Sequence, residues 1–504
     1  MSLMTDREIL LNPNKLVRHL KKPASRFTKE DILQFIDDYG IELLNFMYVG
    51  EDGKFRTLNF VITSKEQVDA ILSTGERVDG WGLFSYIHAQ RTDLYVIPRY
   101  KTAFVDPFSE IPALNILCSF YTSEGLPLES APEYILRKAH SDFEKQTGYR
   151  LKAMGELEYY VSGEGSDLYP TQNQEGYHNS RPFSNWERLR IEAMQLIAQS
   201  GGKIKYGHSE VGFFKTGNRA YEQHEIEFAP VGVEDAADHL IIGKWILRML
   251  GQKYGVQISF APKIAVGHAG SGLHIHMLLE KDGENKMIEN GALSVAARKM
   301  IAGLLEYAAP LTAFGNSVPV SYLRLVPHQE APTMICWGDN TRSVLVRAPL
   351  GWVSQNSMIR DANPQQTGEL AAISGKQTIE FRSPDGSADL YHLLAGLLIA
   401  IKNGFRDEQA LEKTERLYSN VNIFDAARKD FLAGLNHLPQ SCWESAESLE
   451  KHRKIFEADG VFPAGTIDRF ISYLKDFGDK GLSERLYGKH EEIEKLVEKY
   501  IHCA

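Results

Sequence analysis

The residues best able to do chemistry in this chain recur two apart, in runs that otherwise read as β-strands. Glu156 and Glu158 stand in GELEYY, Glu225 and Glu227 in HEIEF, His274 and His276 in LHIHM, and Glu380 and Arg382 in IEFR, while Glu210 stands in GHSEVG. Side chains two apart on a strand point to the same face. One such pair would be ordinary on the solvated face of an antiparallel sheet. Repeated over four strands, the pattern gathers carboxylates, imidazoles and an arginine on one surface. Such a surface suits hard divalent cations held by oxygen, and with so little nitrogen and no thiolate it points to Mg²⁺ or Mn²⁺ rather than structural zinc. Arg324 in SYLRLVPHQEAP and Arg342 and Arg347 in DNTRSVLVRAP add guanidinium groups suited to phosphates and carboxylates. The residues alone therefore indicate metal-dependent phosphoryl chemistry, transferase or hydrolase. The glycine-rich GHAGSG leads into a strand rather than a helix, and no G-x-x-x-x-G-K-[ST] occurs, so neither a P-loop nor a dinucleotide fold is expected.

The elements that must carry these residues are legible in outline. At 504 residues, more than one domain is expected. A helix near 29–39 and two strand-like runs in NFMYVGEDGKFRTLNFVI form a small first unit, and the proline-bearing IPRYKTAFVDPFSEIP (97–112) is the candidate boundary. Beyond it, strand and helix patterns alternate. Pro132 suits a first helical turn, and Ser184 with Glu187 reads as a capping box. Further strands are expected in ISFAPKI, LHIHMLL, SVLVRAP and KQTIEFRSP. Long helices are expected near 233–253, 291–308 and 386–403, and a helical, charged C-terminal hundred residues follows. The expected fold is α+β, a sheet-based catalytic domain covered by helices, with a smaller N-terminal domain.

Composition bounds the function. The net charge is −10, which argues against nucleic acid and anionic membranes as partners. No run approaches a membrane span. Cys118, Cys336, Cys442 and Cys503 are scattered, as expected of reduced thiols in a cytoplasmic protein.

Taken in order, VDGWG, GELEYY, GHSEVG, EQHEIEF, GSGLHIHM, SYLRLVPHQEAP, TRSVLVRAP and IEFRSPD make the sequence resemble the class I-type glutamine synthetases. The resemblance implies a β-grasp-like domain over 1–110, preceded by a short extension, and a catalytic domain over 111–504 with a curved antiparallel sheet. It implies two cation sites for Mg²⁺ or Mn²⁺, one held by Glu158, Glu210 and Glu225, the other by Glu156, His274 and Glu380. His276 matches a residue on the ATP side rather than a ligand. Arg342 and Arg347 match phosphate-contacting arginines, Arg324 and Arg382 those that hold the substrate carboxylate, and Gly270 a contact to its amino group. Glu330 matches a flap glutamate, and Asp79 and Tyr177 match ammonium-site residues, Asp79 being supplied by a neighbouring subunit. The implied activity is ATP-dependent synthesis of glutamine from glutamate and ammonia, in a homododecamer of two hexameric rings. The sequence departs from the family pattern at Trp81 and Gly82, where serines are usual, and at Ala269, Leu278, Val320, Leu323 and 389–391. These changes spare the expected ligands and concentrate near the acceptor amine. A γ-glutamyl ligase for an organic amine such as a polyamine, and a non-catalytic relative, are the alternatives.

Overall fold

Strand β1 (Leu43–Val49) and strand β2 (Phe55–Val61) form a hairpin closed at Gly53, whose φ of 74° is open to glycine. With β3 (Glu76–Asp79), β4 (Asp93–Pro98), β5 (Phe104–Val105) and β6 (Ala113–Thr122) they make a first sheet in the order β2-β1-β6-β4-β3, β5 pairing with β6. The β1–β6 pairing is parallel and the others antiparallel. The expected helix forms at Lys29–Tyr39, opened by a reciprocal Thr28–Asp31 capping box and closed by Gly40 in the left-handed region. Its Ile32 and Phe35 pack with Leu44, Phe46, Val96 and Ile116 of the sheet. The proline-bearing stretch 97–112 is not a linker: Pro98 ends β4 opposite Cys118, and β5 lies within it. Proline is tolerated at such a strand end because it need not donate to the ladder. β6 thus carries the first sheet beyond residue 110. The structure, a computed structural model, describes residues 5–50, 52–80, 82–84, 93–166, 168–326, 331–339, 341–349, 358–368, 375–419 and 433–503. Trp81 and Glu330 lie outside them.

The second sheet holds the chemistry. Its strands are β7 (Arg150–Glu164), β8 (Ile204–Thr216), β9 (Arg219–Phe228), β10 (Val231–Gly232), β11 (Gln257–Ser259), β12 (Leu273–Lys281) and β13 (Glu284–Asn285). After a separate small hairpin of β14 (Ile288–Glu289) and β15 (Ala292–Leu293) come β16 (Trp337–Gly338), β17 (Val346–Arg347) and β18 (Ile379–Phe381). The order is β16-β17-β18-β12-β7-β9-β8, with β10 and β11 on β7 and β13 on β12. All pairings are antiparallel except β16–β17. One face is apolar: Leu157 of β7, Leu273 and Ile275 of β12, Ile226 of β9 and Phe381 of β18 are fully buried. Helix Val233–Tyr254 packs on β7, and helices Pro132–Thr147 and Val295–Glu306 both pack on Leu390–Arg406. Burial of aliphatic side chains at roughly 25 cal/mol per Å² is what fixes the sheet's facing, and alternation then places every intervening residue on the opposite face.

The capping box expected at Ser184 and Glu187 does not form. The helix there runs Glu187–Gln199 with Trp186 at its N-cap and no side-chain cap. Ser184 Oγ instead donates to the buried Glu222 carboxylate, and Glu187 accepts from the backbone and side chain of Arg181. A buried carboxylate is the stronger acceptor, and it outcompetes the local cap. The expected strands at SVLVRAP and KQTIEFRSP shrink to β17 and β18. The C-terminal part is helical over Cys442–Glu457, Ala464–Lys475, Leu482–Leu486 and His490–Tyr500, and the four cysteines are free thiols.

Candidate functional site

Register brings the period-two residues into rows across the second sheet. Arg347 lies opposite Glu380, and Glu380 opposite His276. His274 lies opposite Glu156, Glu156 opposite Glu227, Glu158 opposite Glu225, and Glu225 opposite His208. All share the face away from the apolar layer. That face is not solvated: Glu158 is 8% exposed, Glu225 6%, His274 7% and Glu380 1%. Strand β8 departs from regular pairing where the chemistry is densest. Ser209 pairs with His224 and Phe213 with Glu222, so Glu210, Val211 and Gly212 bulge opposite the single residue Gln223. A bulge re-aims side chains, and this one turns Glu210 into the cleft.

Two sets of possible cation ligands result. In the first, Glu156, His274 and Glu380 bring one ligand atom each within 4.8 Å of one another. His274 Nδ1 is 2.9 Å from Glu156 Oε2 and 3.5 Å from Glu380 Oε1. In the second, His208, Glu210 and Glu225 meet the same limit of 4.8 Å, with His208 Nε2 3.3 Å from Glu225 Oε1 and Nδ1 3.7 Å from Glu210 Oε1. Glu158 sits between the sets. Its Oε2 accepts from the Gly272 backbone N–H at 2.8 Å and from Gln223 Nε2 at 3.1 Å, and its Oε1 is 3.8 Å from His274 Nε2. The second set therefore contains two of the three carboxylates expected from the sequence, Glu210 and Glu225, with the imidazole of His208 in place of Glu158.

The electrostatics explain why cations fit here. Burial raises the Glu225 carboxyl, and the neighbouring Glu156, Glu158, Glu210 and Glu227 carboxylates push it further, well above its ordinary range. Burial also acts on Glu156, but His276 and His274 outweigh it and hold that carboxyl well below the usual range. Glu380 is likewise lowered against its own burial, chiefly by Arg382. Burial lowers His208, which keeps the imidazole neutral and its lone pair available. Hard oxygen donors plus an imidazole in each set fit Mg²⁺ or Mn²⁺, which would relieve the repulsion at Glu225.

Both sets open into one cleft of about 360 Å³, also lined by Arg324, Arg342, Arg347, Arg382, Gly270 and Tyr177. Arg324 is tied down by the carbonyl oxygens of Ser383 at 2.9 Å and Arg382 at 3.2 Å, with Nη2 3.3 Å from His274 Nε2. Arg347 Nη1 donates to Glu380 Oε2 at 3.1 Å, and Arg382 also donates to Glu380. A Cβ at Gly270 would lie 2.6 Å from the Pro262 carbonyl oxygen and 3.0 Å from Arg324 Cγ, so the loop passes where only glycine fits. Tyr177 is held over the cleft because residues 174–178 run beside β8, through Gly176 N–H to Val211 O and His178 N–H to Ser209 O.

Two expected residues lie elsewhere. His276 is not among the residues that line the cleft: its Nε2 is 2.9 Å from Glu156 Oε1 and its Nδ1 2.9 Å from Thr378 Oγ1. Asp79 is exposed at the end of β3 in the first sheet and is not among the residues lining this cleft. Glu330 falls outside the described residues. Sequence reasoning missed His208 and Gln223. Both carried the signal used elsewhere, each standing two residues from a glutamate already singled out, Glu210 and Glu225.

Fold and site together define a protein whose curled sheet gathers carboxylates, imidazoles and arginines on one cleft. The family described as glutamine synthetase, catalytic domain, matches residues 129–476, so the chain belongs to the glutamine synthetase family. It is 26% identical over 445 residues to a glutamine synthetase of Clostridium saccharobutylicum, covering 86% of this chain and 92% of that one. It is 28% identical over 487 residues to one of Nostoc, covering 88% and 94%. In structure it is similar to the cryo-EM Plasmodium falciparum glutamine synthetase, with a TM-score of 0.73 at 20% identity over 93% of this chain and 98% of that one. A GmaS/ADP complex gives 0.71 at 19% over 90% and 96%. These likenesses show the expected fold, mixed helix and sheet with a curled sheet. Among the described residues, no helix is long and apolar enough to cross a membrane.

Proposed function

We propose that the chain is an ATP-dependent ligase that joins ammonia to the γ-carboxylate of glutamate through a γ-glutamyl phosphate, releasing glutamine, ADP and phosphate. The observation that carries this is the opening of two acidic–imidazole sets into one cleft lined by four arginines. Glu156, His274 and Glu380 would hold one cation, and Glu210 and Glu225, with Glu158 and His208, the other. When bound, Mg²⁺ or Mn²⁺ supplies neutralisation of the triphosphate and of the developing phosphoryl charge. The chain's own groups do the rest. Arg324 and Arg382 orient the substrate carboxylate, and the Gly270 loop receives its amino group. Arg342 and Arg347 stabilise the transferring phosphoryl group. His276 steadies Glu156 on the ATP side. Glu330 closes over the acyl phosphate and excludes water. Tyr177 and a neighbouring subunit's Asp79 receive ammonium, and Asp79 takes its proton so that the free amine can attack.

The same reading places the chain in the cytoplasm as a homododecamer of two hexameric rings, with sites completed between subunits. The exposure of Asp79, away from its own chain's cleft, supports that arrangement. We also propose a division into an N-terminal domain ending near Thr122, where the first sheet ends, and a catalytic domain beyond it.

A second reading, an organic amine as acceptor, is favoured by the exposed tyrosine rings that line the cleft, Tyr177 and Tyr206. His178 and His208 have ring centroids 4.4 Å apart, Tyr177 is stacked on His178 at 4.2 Å, and Tyr206 is 5.9 Å from His208. Rings can take an alkylammonium that bare ammonium would not need. Phosphate release from ATP with glutamate, first with ammonium and then with polyamines, separates the readings. Turnover with ammonium supports the first, and turnover only with a polyamine supports the second. None with any amine contradicts both.

A further inference from the structure

A second cavity, which shares no lining residue with the cleft, has about 670 Å³ of space. It lies in the seam between the β1–β2 hairpin of the first sheet and the helices at Val233–Tyr254, Leu390–Arg406 and Ala464–Lys475. Its volume is in the range of small-molecule sites, roughly 300–1,000 Å³. The walls are largely aromatic and aliphatic, with Phe84, Tyr391, Phe470 and Tyr500 among them.

One buried cation lines this space. Lys244 is 5% exposed, yet among the described residues its ammonium forms no salt bridge, and Asp385 and Asp389 act on it only from a distance. Nζ donates to the Gly386 carbonyl oxygen at 2.8 Å and stands 5.4 Å from the centroid of the Phe260 ring. An ammonium has three protons to donate, so two are left for another acceptor. Burial, then Arg248, lowers this amine to about 7, the signature of a buried cation lacking its counter-ion. The two carboxylates on the cavity wall are engaged elsewhere. Asp52 pairs with Arg56 at 2.9 Å, and Asp389 pairs with His392 at 2.8 Å while capping its helix. Lys54 and Arg469 add further positive charge to the wall.

We propose that this cavity is a second ligand site, for a small organic monocarboxylate with an aromatic or alicyclic body, whose carboxylate pairs with Lys244. One buried ammonium matches a singly charged head group better than a phosphate, which needs several donors. The ring walls match an apolar body. A short segment links the site to the cleft: Gly386, held by Lys244, belongs to the loop after β18 whose Ser383 carbonyl oxygen accepts from Arg324. An occupant would therefore press on the segment that follows Glu380 and Arg382.

Calorimetric titration of the full chain in its native assembly with benzoate tests this. The expected result is saturable binding that Lys244→Met weakens by about tenfold or more, as loss of a buried charge partner does. Benzyl alcohol, of similar shape but uncharged, binds more weakly by a similar factor, and saturating glutamate with ATP does not displace benzoate. Val49→Trp fills the cavity from β1 without touching the amine and abolishes binding, which covers the case of a Lys244→Met chain that fails to fold. No saturable binding, equal affinity in either folded variant, or displacement of benzoate by glutamate would overturn the proposal.

Discussion

Glu225 is the residue whose charge depends most on what shares its cleft, because burial and four other carboxylates raise it. A cation held there should stabilise the fold: Mn²⁺ at a hundred times its dissociation constant adds about 2.7 kcal/mol by mass action. Differential scanning calorimetry should show this as a rise in Tm, and Glu225→Gln should remove most of it. His208, the imidazole that the sequence pattern under-weighted, gives a sharper prediction. His208→Ala should weaken Mn²⁺ binding by about 10–100-fold in calorimetry, a range typical for loss of a metal-site partner. Unchanged affinity would leave Glu158, Glu210 and Glu225 as that cation's sole ligands. Lys244 has a pH signature of its own. Its folded value, about 7, lies below the ordinary 10.5, so between these two the unfolded chain binds a proton that the folded chain does not. Stability should therefore rise with pH from about 7 towards 10.5 by an amount that Lys244→Met abolishes. The difference in Tm between the two proteins across that window measures it.

At the scale of elements, the bulge in β8 is the feature on which the second ligand set depends. Gly212 closes it: a Cβ there would lie 2.1 Å from Tyr160 Oη and 2.5 Å from Gln223 Oε1. Gly212→Ala must displace Gln223, which holds Glu158 and the Gly270 carbonyl. The expected cost is about 1–3 kcal/mol of stability by denaturant unfolding, with a larger proportional loss of metal affinity. This bulge also shows where sequence reading ends. Period two identified Glu156, Glu158, Glu225, His274 and Glu380 because β7, β9, β12 and β18 are regular there, and alternation is a local property. The bulge arises from pairing between β8 and β9, which no window of GHSEVG encodes, so Glu210 read as an isolated residue; His208 lies before the bulge, carried the period-two signal and was passed over. The capping box at Ser184 failed for the same reason. Its competitor, Glu222, lies on another strand. Helices with local caps, such as Lys29–Tyr39, were legible to the residue. β17 and β18 came out short because their extent is set by partners far along the chain.

At the scale of the molecule, the two sheets have different tasks. The second builds a cleft with both ligand sets and the arginines, while the first holds Asp79 at an exposed strand end. If Asp79 serves a neighbour's cleft, dilution into monomers should abolish turnover. Mixing Asp79→Ala chains with Arg342→Ala chains should restore part of it through hybrid interfaces. Light scattering alongside the assay relates activity to assembly, and full activity in a monomer would contradict the shared site. The central claim, that the cleft activates a carboxylate by phosphorylation, holds for ammonia or a larger amine as acceptor. It is tested most directly by supplying glutamate labelled with ¹⁸O in its γ-carboxylate, together with ATP, Mg²⁺ and the working amine. Mass spectrometry of the released phosphate should find one labelled oxygen per turnover, carried over from the acyl phosphate. Unlabelled phosphate would contradict the account.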